Sequence, residues 1–134
     1  MIALKAIQAR DLHIVAEMQR AGVNIMAGTD FLPNGFALHR ELAMLVEAGL
    51  TPMQALQAAT LNPARYFGKE QEFGTIGVGK AADLVLLDAN PLADIHNTQK
   101  ISAVVARGHL LERAQLDGML AQVAQAGAAE KARP

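Results

Sequence analysis

The sequence predicts an α/β protein, and within that class the closing portion of a larger α/β structure followed by a small appended β-domain. Three observations carry this prediction. The apolar run Val23-Asn24-Ile25-Met26-Ala27-Gly28-Thr29 ends on a carboxylate, Asp30, with a helical pattern before it and another after it, as a parallel α/β unit requires. Short capped helices then open at Thr51-Pro52 and Asn62-Pro63. From Gly74 onward the pattern becomes strand-like and reads as an antiparallel or mixed sheet. A single convincing strand in the first seventy residues has no neighbour to bond, so the barrel-type unit it suggests is incomplete.

Composition narrows the function classes. With 134 residues, 51% of them hydrophobic, the chain has side chains enough for a core and is not of a disordered type. The net charge of -1, with both signs interspersed, leaves no basic stripe for nucleic acid and no polybasic patch for a membrane surface. No cysteine is present, which excludes disulfides, thiolate metal sites and a cysteine nucleophile. No apolar run approaches the ~20 residues that cross a bilayer, and the first seven residues lack the apolar centre of a secretory signal. These features predict a soluble, cytoplasmic chain.

The opening helix is expected over residues 3–20. Leu4, Ile7, Ile14, Val15 and Met18 recur at helical spacing, and Arg10, Glu17 and Arg20 lie off that stripe. Asp11 interrupts the stripe and can instead cap a second helix from Leu12. Gly22 suits a left-handed helix end, with Arg20 at the negative end of the dipole. The strand to Asp30 follows, then the turn-forming Phe31-Leu32-Pro33-Asn34-Gly35.

A helix over residues 37–48 carries Leu38, Leu42, Leu45 and Val46 on one face and stops at Gly49. Thr51-Pro52-Met53-Gln54 has the hydroxyl, the proline and the glutamine of a capping box, which predicts a new helix to about Ala59. Asn62-Pro63 repeats the cap-plus-proline arrangement for a short helix closed by Gly68.

Gly74, Gly77 and Gly79 invite a phosphate-loop reading. Lys80 is followed by Ala81 and opens no helix, so a turn linking two strands is preferred. Residues 83–88 read as a buried strand bracketed by acids. Residues 101–106 and 109–112 flank Arg107-Gly108 as a hairpin. A last helix holds Leu116, Met119, Leu120 and Val123 in register, and the tail after Gly127 is expected to fray.

Asp30 is the candidate for chemistry. Alternation along a strand places it on the face of Met26 and Gly28, and acidic groups at the carboxyl end of a barrel strand face the active site. An equally open reading makes it a turn or helix cap.

The run Ala27-Gly28-Thr29-Asp30, then His39-Arg40-Glu41-Leu42, Glu47-Ala48-Gly49-Leu50-Thr51-Pro52, Ala58-Ala59-Thr60-Leu61-Asn62-Pro63-Ala64, Gly74-Thr75-Ile76 and Gly79-Lys80-Ala81-Ala82-Asp83-Leu84-Val85 resembles the C-terminal third of the amidohydrolase superfamily. The imidazolonepropionase-like and Xaa-Pro dipeptidase-like members are the nearest in pattern. The resemblance implies a metal-dependent (β/α)₈ TIM barrel. Residues 1–70 would supply its closing portion, residues 71–113 a segment of a composite β-sandwich, and residues 114–134 a terminal helix and tail.

It implies further that Asp30 ends the eighth strand, contacts a divalent metal, zinc above all, and acts as general base toward the metal-bound water. The implied substrate is a small-molecule amide, cyclic amide or dipeptide-like compound, with no nucleic acid or membrane partner. The metal-binding His-x-His pair and the other ligands of the family have no counterpart here. His13, His39, His96 and His109 are the only histidines, and their spacing does not match. By itself the chain is therefore expected to bind no metal and to be inactive, and to require a missing N-terminal portion or self-association to cover its open edge. A truncated, non-catalytic chain that binds itself or a partner through that edge is the alternative. His39 is the one histidine with a possible site-lining or supporting role; the others read as solvated or edge residues.

Overall fold

Helix boundaries follow local chemistry. The computed structural model describes residues 2–29 and 35–131. In chain order these form α1 (Ile2–Arg20), α2 (Phe36–Glu47), α3 (Pro52–Ala59), α4 (Leu61–Tyr66), β1 (Leu84–Leu87), a 3₁₀ segment (Ile95–Gln99), β2 (Ile101–Ala106), β3 (His109–Glu112) and α5 (Arg113–Lys131). At α3 the expected capping box is present. The Gln54 N–H donates to Thr51 Oγ1 at 3.2 Å, and the Thr51 N–H donates to Gln54 Oε1 at 2.8 Å, with Pro52 opening the helix.

The first helix is continuous through Asp11 rather than split there. Its stripe is only partly used. Leu12 and Val15 pack on the core, while Ile14 and Met18 stay exposed, because among the other elements only α2 covers this helix appreciably. The core is formed by Leu42 and Leu45 of α2, Ala48 and Leu50 of the following turn, Ala55 and Ala58 of α3, and Ile95. Ala55 and Ala58 have no exposed surface, and their small size lets α2 and α3 approach closely.

Asn62 departs from expectation. The short helix begins two residues earlier than a cap at Asn62 requires, with Thr60 at the cap position and no side-chain cap bond. The Thr60 hydroxyl donates instead to the Leu56 carbonyl at 2.8 Å. The Asn62 carboxamide is used elsewhere, as described below.

The three strands form one antiparallel sheet in the order β1-β2-β3. Arg107 and Gly108 make the hairpin turn with φ of 51° and 81°, the pair of positive values that a type I′ turn needs. The turn is tied to the start of β1, since the Arg107 N–H donates to Asp83 Oδ1 at 2.6 Å and the Gly108 N–H to the Ala82 carbonyl at 3.0 Å. The expectation of a buried strand over residues 83–88 is corrected: Val85 is 56% and Leu86 46% exposed. Within the described chain α5 packs on β2 and β3, and no second layer covers the outer strand.

Two further expectations change. The glycine-rich stretch does not link two strands among the described residues, because β1 is the first strand. Lys80 Nζ closes it by donating to the Glu70 carbonyl and to Thr75 Oγ1, each at 2.5 Å. Gly74, at φ 90°, lies so close to α4 that a Cβ there would sit 2.6 Å from the Ala64 Cβ, which only glycine avoids. The last helix runs through Gly127 to Lys131, since an isolated glycine costs a helix only about 1 kcal/mol. Among the described residues no helix is long and apolar enough to cross a membrane.

The two threonine caps make opposite predictions. Thr51→Ala should lower unfolding stability by about 1 kcal/mol in a denaturant titration, the usual value of a side-chain cap. Thr60→Ala, which breaks no cap bond, should stay within about 0.5 kcal/mol of wild type. Equal losses would show that the capping box is not what starts α3.

Candidate active-site segment and its supports

A strand in a barrel has hydrogen-bonded neighbours on both sides, and residues 23–29 have no strand neighbour among the described residues. The described part of the expected strand therefore forms no ladder. It is held instead from the helical side. The Val23 N–H donates to the Met18 carbonyl at 3.0 Å and the Ala27 N–H to the Ala58 carbonyl at 2.9 Å. The Asn62 carboxamide donates to the Ile25 carbonyl at 2.8 Å. From Asn24 onward burial alternates as it would along a strand: Ile25, Ala27 and Thr29 are half-buried and Asn24, Met26 and Gly28 exposed, while Val23 at the start of the segment is exposed as well. Asp30, the residue expected to carry chemistry, lies outside the described residues, as do residues 31–34, where a turn is expected.

His39 is the other expected site residue. It is half-buried on α2, with Nδ1 3.1 Å from Thr98 Oγ1. The Thr98 hydroxyl, itself buried, donates its only proton to the Ile95 carbonyl at 2.8 Å. It must therefore accept from His39, so Nδ1 carries the ring proton and the neutral ring keeps Nε2 as an acceptor. Burial lowers the His39 pKa below its ordinary 6.5, in favour of that neutral form. The contact joins α2 to the 3₁₀ segment, a link that sequence reasoning missed because the two residues are 59 positions apart and meet only in the folded chain. Asp94 capping the His96 N–H at 2.9 Å was the available signal.

His39 also borders a groove of about 450 Å³ walled by Phe36, Ile101, Val104, Leu116 and Met119. The guanidinium at its edge is engaged: Arg113 Nε donates to Asp117 at 3.0 Å and Nη1 to the Ile101 carbonyl at 2.9 Å. Arg40 and Glu41 form no ion pair with each other.

The remaining histidines are dispersed. His13 is exposed on α1, 3.9 Å from Glu17. His96 faces solvent beside Asp94, whose carboxyl its backbone N–H and ring hold below the usual range. His109 is exposed at the start of β3. Among the described residues no three His, Asp or Glu side chains are grouped so as to hold a metal ion, so these residues alone do not fit the metal that the resemblance implies.

The His39 environment fixes a pH dependence. Its folded pKa lies below the unfolded value, so the unfolded chain binds the proton more readily. Stability is then full above pH ~6.5, falls as pH drops through that value, and levels off below the folded pKa. Denaturant midpoints at pH 8 and pH 5 should differ more for wild type than for His39→Gln. An equal difference in the two proteins would contradict the burial of this ring.

Comparison with known proteins identifies the family. Residues 5–111 match the model of the Amidohydrolase family. Imidazolonepropionase of Pyrobaculum arsenaticum is 44% identical over 77 residues, which cover 55% of this chain and 19% of that protein. The 5-methylthioadenosine/S-adenosylhomocysteine deaminase of Moorella thermoacetica is 42% identical over 85 residues, covering 55% and 20%. A solved Xaa-Pro dipeptidase with bound methionine in its active site superposes with a TM-score of 0.69 at 32% identity, over 75% of this chain and 25% of that one. The chain thus spans about a fifth of the length of the curated relatives it matches. With four-fifths of its own length inside the family match, the chain belongs to the amidohydrolase family.

Proposed function

We propose that this chain is the closing portion of a metal-dependent hydrolase of carbon–nitrogen bonds in a small amide, cyclic amide or dipeptide-like substrate. The observation that carries the reading is the run of family residues through Ala27-Gly28-Thr29-Asp30, set on a segment with strand-like alternation of burial. In this reading residues 1–70 close a TIM barrel, residues 71–113 join a composite β-sandwich, and residues 114–134 form the terminal helix and tail. The names of the relatives, an imidazolonepropionase, a nucleoside deaminase and an Xaa-Pro dipeptidase, support the bond class and leave the substrate open.

A divalent metal such as zinc, when bound, would supply an activated water at neutral pH. Its other ligands would have to come from outside the described residues. Asp30 is then the metal-contacting carboxylate and general base: it accepts a proton from water and returns it to the leaving nitrogen. A carboxylate suits this role because it is an acceptor with lone pairs enough to face a metal and a water together. His39, held by Thr98 as a neutral ring, supports the start of α2, the first described element after Asp30 in the chain.

A second reading is a non-catalytic chain that associates with itself. It draws on apolar residues left exposed, Phe67 at 68%, Ile76 at 88% and Val78 fully exposed, and on the open edge of β1 among the described strands.

Zinc titration, amide hydrolysis and sizing chromatography separate the two readings. The preferred reading expects the chain alone to bind no stoichiometric zinc and to hydrolyse nothing. A polypeptide supplying a His-x-His pair and the other family ligands should restore both properties, and Asp30→Asn should then lower kcat by about 10²-fold or more. A discrete oligomer with no activity in that reconstituted system would favour the second reading. Full hydrolysis by Asp30→Asn would remove Asp30 from the chemistry.

A further inference from the structure

The support of residues 23–29 has a regularity that ordinary loop packing does not require. In an extended strand the C=O of one residue and the N–H of the residue two positions on point to the same edge. Here those two groups are the Ile25 carbonyl, which accepts from Asn62 Nδ2 at 2.8 Å, and the Ala27 N–H, which donates to the Ala58 carbonyl at 2.9 Å. One donor and one acceptor on the α3–α4 unit thus meet one edge of the segment, in the positions that a neighbouring strand would fill. Ala58 offers a main-chain group near a helix end, but the donor has to be a side chain. Asn62 lies inside α4, half-buried and freed from capping because Thr60 occupies the cap position.

Register is at stake in this contact. A one-residue slip of a strand exchanges its faces. With Ile25 and Ala27 anchored on the helices, Asn24, Met26 and Gly28 must face away, as their exposure shows.

We propose that Asn62 is a positioning residue for the catalytic segment. Its carboxamide acts as a one-residue substitute for a ladder partner and sets the parity with which residues 23–29 lead into Asp30. The proposal rests on the reading of Asp30 as the general base, and its test does not use activity.

The chain has no cysteine, so single cysteines report the parity directly. At neutral pH a maleimide should modify the thiol of Met26→Cys faster than that of Ile25→Cys, by about tenfold. Adding Asn62→Asp, which keeps the shape but offers no donor when ionised, should reduce the ratio to about twofold, as expected for loss of one hydrogen bond to a local opening equilibrium. A pH profile gives the second readout. Amide exchange at Ala27 in Asn62→Asp should regain protection as pH falls through ~4, where the protonated carboxyl donates again, whereas Asn62→Ala should show no such recovery.

Thr51→Ala, a destabilising change elsewhere, should leave the cysteine ratio near its wild-type value. The proposal is overturned if Asn62→Asp keeps the full contrast at neutral pH, or if Thr51→Ala erases it equally, which would mark general loosening. Failure of Asp30 as base shows instead as surviving hydrolysis in Asp30→Asn, an outcome that these rates do not touch.

Discussion

Extended backbone satisfies its hydrogen bonds only through neighbours, and the segment that leads to the candidate base has to find them on one side. This constraint organises the first half of the molecule. The Ala58 carbonyl and the Asn62 carboxamide reach residues 23–29 because α3 and α4 lie against that segment, and α3 lies there because Ala55 and Ala58 are small enough to pack flush on Leu42 and Leu45. The Thr51 capping box starts α3 at the residue that gives this packing its phase. Ala58 and Asn62 act on the segment directly, each through one hydrogen bond. The fold is thus economical in its means and exposed to small errors of register.

A second polar joint, His39 to Thr98 to the Ile95 carbonyl, ties α2 to the sheet-bearing half. Its chemistry is directional. Because the threonine hydroxyl donates its proton onward, the imidazole has only one tautomer available in this contact, and partial burial keeps the ring neutral. The joint couples the helix that follows Asp30 to the 3₁₀ segment next to β2.

Much of this architecture was legible from residue order. The capping box at Thr51, the glycine stop at Gly49, the Arg107-Gly108 hairpin and the three β segments follow from short-range rules, and the structure reproduces them. The misreadings share a different cause. Asn62 looked like a cap because the same side chain can bond locally or across 37 residues, and only tertiary proximity decides which. The burial of Val85 and Leu86 was inferred from an apolar run that needs a covering layer absent from the described chain. The family was legible in motif order alone, whereas the support of residues 23–29 was visible only once α3 and α4 were placed beside them.

The account stands on the claim that helices α3 and α4 take the place of a neighbouring strand. The most direct measurement is the set of through-hydrogen-bond scalar couplings in an isotopically labelled sample of the chain. A coupling between the Ala27 amide nitrogen and the Ala58 carbonyl carbon, together with one between the Asn62 side-chain nitrogen and the Ile25 carbonyl carbon, is the predicted result. Loss of both, with the Ala27 amide exchanging as freely as a solvated loop, would contradict it.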